Sequence, residues 1–429
     1  MGTRDWVRSR ITGMLLGEHK LALRSGAVAP SLHFEGIDSL GLYLHIPFCR
    51  QICPYCPYNK ELFQADLAER YAAAVLKEID RYAAIVGGLP VTSFYIGGGT
   101  PTTMLHAGLP RILETIYRRL NMQCSIHMES HPNDLSPANL STIVAMGVEH
   151  LSIGIEALQD RHLRTLCRTY TAAEAVAAIW RAVGKGFKNV NVDLIFALPD
   201  QTHEELQLSS RKLIELGVDQ VAAYPLFSFP YTQWARSARQ NHYRRYSLLE
   251  KWRMLQVVEQ AFYSAGYTRT SVWAFTKVGS PKYCSVTVPL YLGLGASAGS
   301  YLRDIFYLNT FNTTAYIQAI AGGHWPIALS LELSERMQMA GWLYWRIYET
   351  RFGPSDFERR FHRRLDAVYG RILWLLSFLG LLTKGEAEIA LTDAGAYWIH
   401  TVQDLFSIDY VSKLWGTSRQ APWPAEVRL

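Results

Sequence analysis

The feature that most constrains this chain is an alternation. Between Gly41 and about Tyr224, short β-rich runs take turns with longer helical patterns. The predicted strands are residues 42–46, 93–96, 125–128, 150–154, 190–195 and 220–223. Helical patterns fill the gaps at 67–84, 109–120, 138–146, 172–184 and 203–216. Strand followed by helix, repeated, implies a parallel sheet, open or partly closed into a barrel. In such sheets ligands sit at the carboxyl ends of the strands. Each motif with chemistry in it falls just after, or near the end of, one of these strands.

Beyond Pro230 the character changes. Residues 243–267 read as a helix, 268–274 as strand-like, and 292–300 as a glycine-rich stretch. From about 329 to 402 the pattern is mostly helical. It ends in 378–382, 389–391 and the Leu-Thr-Asp-x-Gly start at 392–395, which resembles a small winged-helix module. The expected organisation is an N-terminal extension (1–40), a barrel with its extension (41–300), a helical, winged-helix-like domain (301–410) and a tail (411–429). The tail carries Pro422 and Pro424 and is expected on the surface. The fold class is therefore α/β, a partial six-unit β/α barrel with a C-terminal, mostly helical, winged-helix-like domain.

With 429 residues, 49% of them hydrophobic, the chain has ample material for a core and none of the character of a disordered protein. A net charge of +6 is mild; it favours anionic small molecules and is poor support for nucleic acid. Arg4, Asp5, Arg8 and Arg10 have no apolar segment behind them of the kind that secretory signals need. The most apolar run, 372–382, is far short of a membrane span. Six cysteines, three within eight positions, do not form a secreted disulfide framework. A cytoplasmic location is the expectation.

Those three cysteines read Cys49-Arg-Gln-Ile-Cys53-Pro-Tyr-Cys56. Three thiolates can hold three corners of a [4Fe–4S] cube. The fourth iron is then open, and it can bind the amino and carboxylate groups of S-adenosylmethionine (SAM). One electron from the reduced cluster would break the sulfur–C5′ bond and release a 5′-deoxyadenosyl radical. Zinc is the alternative, but it needs four ligands and only His45 is near as a fourth. An inert group of buried cysteines is the other.

The segment 42–60, with Tyr-x-His-Ile-Pro-Phe-Cys before the cluster and Tyr-Cys-Pro-Tyr-Asn-Lys at its end, resembles the oxygen-independent coproporphyrinogen III oxidase-like branch of the radical SAM superfamily. The resemblance runs from about Gly41 to Ser300. It implies a SAM loop at Gly97–Gly99 and Thr100, where glycines without Cβ let the backbone approach a ligand. It implies that Glu129 binds the SAM ammonium, that Arg168 binds its carboxylate and that Asp193 faces the adenosine. Tyr43 and Tyr55 would line the adenosyl side. Glu156 stands where many relatives carry Gln; it still accepts a ribose hydroxyl and adds a negative charge. Tyr170 stands where relatives often carry His. Cys124 and Cys167 are expected as small buried residues, whereas Cys284 lies in a loop bordering the substrate.

Subfamily markers divide the possible reactions. Coproporphyrinogen oxidases place another Cys two residues after the third ligand, where this chain has Tyr58. Haem-chaperone relatives carry a His-Asn-x-x-Tyr-Trp stretch, and the corresponding 283–291 has neither histidine nor tryptophan. The favoured expectation is therefore methyl or methylene transfer from a second SAM to an sp² carbon of an aromatic or conjugated small molecule. Residues 292–300 would wall that second SAM. Tyr224, Phe227, Phe229, Tyr231, Trp273 and Phe275 would line a pocket for a flat substrate. The alternatives are decarboxylation of coproporphyrinogen III or another tetrapyrrole, and a haem-binding chaperone with a vestigial SAM site. Expected partners are a one-electron donor such as flavodoxin or ferredoxin and a partner methyltransferase. Arg359, Arg360, Arg363 and Arg364 read as a solvated helix face rather than a DNA-binding one.

Overall fold

A computed structural model of the chain describes residue 13 and residues 21–429 other than 27, 241–242, 284–288 and 386. Six strands form the centre: β1 (Leu40–Ile46), β2 (Pro90–Gly98), β3 (Ile126–Ser130), β4 (Val148–Glu156), β5 (Asn189–Phe196) and β6 (Gln220–Pro225). They lie side by side in chain order and every neighbouring pair is parallel. Each expected strand is present, longer by one to five residues. The helices between them are α1 (Ala65–Val86), α2 (Leu109–Arg119), α3 (Pro137–Ala145), α4 (Ala172–Val183) and α5 (His203–Glu215).

Local chemistry starts these helices where the sequence suggests. Thr171 and Thr202 accept from the backbone N–H groups of Glu174 and Glu205, whose carboxylates reach back to the threonine N–H groups. Such reciprocal capping satisfies donors that a helix start otherwise leaves open. Along β1, Leu40, Leu42, Leu44 and Ile46 are buried on the outer face, under α1 residues such as Val75 and Ile79. Each full burial of this kind contributes roughly 1.5–3 kcal/mol. The alternate residues Tyr43 and His45 face the barrel interior, as the period of two requires.

The sheet continues further than the sequence indicates. Past β6 it adds Ala274–Lys277 and Tyr267–Arg269; past β1 it adds Tyr291–Leu294, Gly299–Tyr301, Ile305–Asn309 and Ile327–Glu332. Residues 301–332 thus extend the central sheet, although 301 was expected to open the helical domain. The outer edge pairs Ala22–Arg24 with both Ser330 and Glu426–Arg428. The tail expected to lie on the surface therefore ends in a strand, with Val427 buried. The edge strands 22–24 and 426–428 pair across hundreds of residues, so no local pattern announces them.

The C-terminal module has its own core of Trp342, Phe352, Phe357, Tyr369, Leu373 and Ile389. Its three short strands pair in the order Arg351–Phe352, Ile389–Leu391, Leu382–Lys384 beside helices, in keeping with the winged-helix resemblance. The glycine of Leu-Thr-Asp-x-Gly has a steric reason. A Cβ at Gly395 would lie 1.7 Å from the Leu381 carbonyl oxygen. Among the described residues, no helix is long and apolar enough to cross a membrane.

Candidate active site

The cysteine loop leaves the carboxyl end of β1. A two-residue strand, Phe48–Cys49, pairs with Glu61–Leu62, so Cys49 O accepts from Phe63 N at 2.9 Å and Pro47 O from Glu61 N at 2.8 Å. Neighbours hold the remainder. Lys60 Nζ donates to Cys56 O at 2.6 Å, Trp234 N to Pro54 O at 2.9 Å and Tyr231 OH to Pro57 O at 2.8 Å. Cys49 is buried and Cys53 and Cys56 are half-buried. Burial pushes the Cys49 thiol up to about 12, against a lowering hydrogen bond from Thr100 at 3.5 Å, and burial likewise raises Cys56.

The glycine loop after β2 works in a way the sequence does not reveal. Gly98 N donates to Glu129 Oε2 at 3.1 Å, Gly99 N to Ile46 O at 2.7 Å and Thr100 N to Phe48 O at 2.8 Å. These three N–H groups are committed within the protein. Glycine is needed because the cysteine loop passes directly beneath. A Cβ at Gly98, whose φ is +115°, would lie 2.5 Å from the His45 ring, and one at Gly99 2.7 Å from Phe48 O.

Around the mouth stand three buried or half-buried carboxyl groups. Glu129, from β3, accepts from Tyr95 OH at 2.7 Å as well as from Gly98. Asp193, from β5, accepts from Asn191 Nδ2 at 2.9 Å and Ser152 Oγ at 3.3 Å. Glu156 ends β4 at a bulge with φ of 64°, and Tyr224 OH donates to it at 3.2 Å. Burial raises the pKa of all three; the charge of Glu156 raises the other two further, and Glu129 also raises Asp193. Beside Glu156 stands the guanidinium of Arg168, which donates to Cys53 Sγ at 3.1 Å, Tyr170 OH at 2.7 Å and Gly154 O. Tyr170, in place of the relatives' His, thus braces Arg168 through Ile155 O at 2.8 Å. Tyr43 and Tyr55 line the same space, Tyr43 stacked 6.2 Å from Tyr95 and Tyr55 OH 3.5 Å from Arg168 Nη1.

The donor set can be tested against the group it suggests. His45 is not a spare metal ligand: its Nδ1 contacts Tyr43 OH at 2.9 Å and its Nε2 contacts Asn59 O at 3.1 Å. Burial lowers it to about 4. Among the described residues, no three His, Cys, Asp or Glu side chains converge as they would on a single metal ion. Three thiols in one loop, two of them bracketing a single turn through Cys56 N to Cys53 O at 3.3 Å, suit an iron–sulfur cube, whose irons take one cysteine each. Three carboxyl groups with raised pKa beside one guanidinium suit a ligand that carries positive charge, as a sulfonium amino acid does. The residues fit the cluster and SAM.

Other expectations fare differently. In residues 292–300, Gly295 N donates to Glu78 Oε2 at 2.8 Å and Ala296 N donates to Tyr71 OH at 3.1 Å, so this stretch is packed structure. Phe275 is fully buried against Phe262, and Trp273 is buried between Phe196 and His400, so neither faces a pocket. Phe227, Phe229 and Tyr231 remain half-buried in a row, with centroids 6.4 and 6.0 Å apart. Cys167 is exposed rather than buried and Cys124 is half-buried; Cys284 lies outside the described residues. Arg359, Arg363 and Arg364 are solvated and paired with Asp356, Glu335 and Asp366.

Sequence reasoning missed Tyr95, Lys60, Asn59 and the buried network of Tyr71, Glu78, Tyr316 and Asn309. Tyr71 OH donates to His45 O at 2.6 Å, and Glu78 accepts from Tyr316 at 2.6 Å and Asn309 at 2.8 Å. An acid on the apolar face of α1 was the available signal for Glu78. Tyr283 was also unforeseen: its backbone brackets Gln220 at 2.8 and 2.9 Å, and its ring lies 5.4 Å from Tyr95 and 5.2 Å from His127.

Residues 43–213 match the family model described as the radical SAM superfamily. Fold, donor set and match are similar to those of radical SAM proteins, and the cofactors they imply are a [4Fe–4S] cluster and SAM. The chain is also similar to haem chaperones and to a coproporphyrinogen III oxidase. It is 27% identical to the Heme chaperone HemW of Bacillus subtilis over 82% of this chain and 95% of that protein. It is 30% identical to the oxygen-independent coproporphyrinogen III oxidase of Escherichia coli, over 44% of this chain and 42% of that one. The solved structure of the Escherichia coli oxidase HemN has the same fold, with a TM-score of 0.75, 23% identity and coverage of 90% and 94%.

Proposed function

We propose that this cytoplasmic chain cleaves SAM reductively at a cluster held by Cys49, Cys53 and Cys56, and that the molecule its site serves is a tetrapyrrole, haem foremost. The carrying observation is the extent of the likeness to haem chaperones: the Bacillus subtilis protein aligns over 95% of its own length. Glu129 takes the SAM ammonium, Arg168 the carboxylate, Glu156 a ribose hydroxyl and Asp193 the adenosine, with Gly98, Gly99 and Thr100 shaping the wall. Bound SAM supplies the carbon radical when the cluster gives up an electron. The chain's own part is to orient and to exclude water: Tyr95 fixes Glu129, Tyr170 fixes Arg168, and Tyr43 and Tyr55 cover the site with apolar rings. A flat macrocycle would stack along Phe227, Phe229 and Tyr231, whose last member is tied to the cysteine loop.

Residues 283–291 carry no histidine, and the Tyr283 backbone is bonded to Gln220, so haem would take its ligand from elsewhere in the chain. Methyl or methylene transfer to an aromatic acceptor, with a second SAM and a partner methyltransferase, ranks below it. Tyr58 in place of the oxidases' cysteine still favours that reading over decarboxylation. But residues 292–300 are spent on internal bonds, and the relatives found over most of the chain are haem chaperones. The test is anaerobic reconstitution with iron and sulfide, followed by addition of SAM, dithionite and haem. A Soret shift together with 5′-deoxyadenosine supports the proposal. Absence of a Soret shift removes haem, and deuterium passing from methyl-labelled SAM into 5′-deoxyadenosine would restore methyl transfer.

A further inference from the structure

A site of this kind needs an electron from outside, and the cysteine loop has two unlike faces. Its inner face meets the mouth lined by Glu129, Glu156 and Asp193. Its outer face is the turn between the first two cysteines. There the Arg50 side chain is 61% exposed, Gln51 is exposed and Ile52 is 38% exposed. Gln51 Nε2 donates to Cys167 O at 2.9 Å, which joins this turn to a second exposed segment containing Arg164 and Cys167. The result is one continuous surface over Cys49 and Cys53.

Three properties decide what fits it. The first is distance: consecutive Cα atoms are about 3.8 Å apart, so Gln51 lies within about 8 Å of either flanking cysteine. A redox group pressed against this turn is therefore close enough for rapid electron transfer. The second is charge. Arg50 and Arg164 are exposed cations, and Arg50 contributes with burial and Arg168 to lowering His131 to about 3. The acid that Arg50 meets, Asp134 at 3.2 Å, is buried and also accepts from Thr102 Oγ1 at 2.6 Å, so it offers little negative charge to solvent. The third is an apolar centre, Ile52, inside the charged rim, the usual anatomy of a transient interface. The acidic mouth on the other face would repel what this face attracts.

We propose that Arg50, Gln51, Ile52, Arg164 and Cys167 form the docking surface for a small acidic one-electron carrier protein with a flavin or iron–sulfur group near its own acidic face. The inference rests on the reading of the site as a reducible cluster. On docking, the carrier loses one electron and the cluster gains it; no atom moves between the partners. Opposite charges raise association rates by roughly 10- to 1000-fold, most at low salt.

The experiment uses reconstituted full-length protein and flavodoxin hydroquinone, with cluster bleaching followed anaerobically by stopped flow. Arg164→Glu alone, at an exposed helical position, and Arg50→Glu with Arg164→Glu are compared with the unaltered chain, and dithionite serves as the small-molecule control. The expected result is a slowing with flavodoxin of at least threefold for the single and tenfold for the double variant at low ionic strength. The difference should collapse near 1 M salt, where the screening length is about 3 Å. Dithionite rates should stay equal. Equal flavodoxin rates, a salt-independent difference, or equal slowing with dithionite would each overturn the docking surface. A cluster that dithionite fails to reduce in the unaltered chain would overturn the reading beneath it.

Discussion

Replacing Glu129 by Gln separates charge from shape at the centre of the proposed SAM site. The carboxylate accepts from Tyr95 OH at 2.7 Å and from Gly98 N at 3.1 Å. Gly98 N can only donate, so the amide oxygen must face it and the amide nitrogen must face Tyr95, whose hydroxyl then has to accept. Both bonds survive in altered form and the fold should persist. What is lost is the ionic partner of an ammonium group. Hydrogen bonds to charged groups are worth about 1.5–3 kcal/mol and neutral ones about 0.5–1.5, so the loss is about 1.2 kcal/mol. At about 1.4 kcal/mol per factor of ten, SAM binding should weaken roughly eightfold. Equilibrium dialysis of reconstituted protein reads this directly. Its pH dependence adds a second check. Burial raises the Glu129 pKa, so the neutral acid dominates at low pH, and affinity should climb as pH rises through that raised value and then level off. The Gln variant should climb less steeply. A Kd within threefold of the unaltered chain, with the same pH slope, would refute the assignment.

Three further outcomes are expected. Glu78 titrates at about 7 when folded against 4.5 unfolded, so its stabilising effect is complete below about pH 4.5 and is lost as pH rises through 7. Glu78→Gln should spare a loss of order 3 kcal/mol between pH 5 and 8, and parallel urea-unfolding profiles for the two proteins would contradict this. Gly98→Ala forces a Cβ to 2.5 Å from the His45 ring at a φ of +115°. Overlap and backbone strain should together cost about 2–5 kcal/mol, part of it recovered by adding His45→Ala; strict additivity in thermal unfolding would refute the contact. Glu156→Gln keeps an acceptor for Tyr224 while removing one of three crowded acids. It should stabilise the ligand-free protein at neutral pH and leave the SAM Kd within about fivefold, whereas a hundredfold loss would show that the charge itself is used.

The sequence determined the skeleton of this molecule. Six strands and their helices were legible because period-two and period-3.6 patterns are local, the starts at 172 and 203 among them. Cys49, Cys53 and Cys56 were legible because their spacing within one loop is itself the ligand geometry. Glu129, Asp193 and Arg168 were reached through resemblance, and the structure brings them to one mouth. Tertiary structure alone decided the rest, since it depends on what distant segments do to each other. Why Gly98 and Gly99 are glycines is answered by His45 and Phe48, some fifty residues away in the chain. Phe275 and Trp273 look like pocket residues until helices from elsewhere cover them. The strand 22–24 is held between two distant partners, 327–332 on one side and 426–428 on the other. A hydrogen bond across four hundred residues leaves no periodic trace in the chain that makes it.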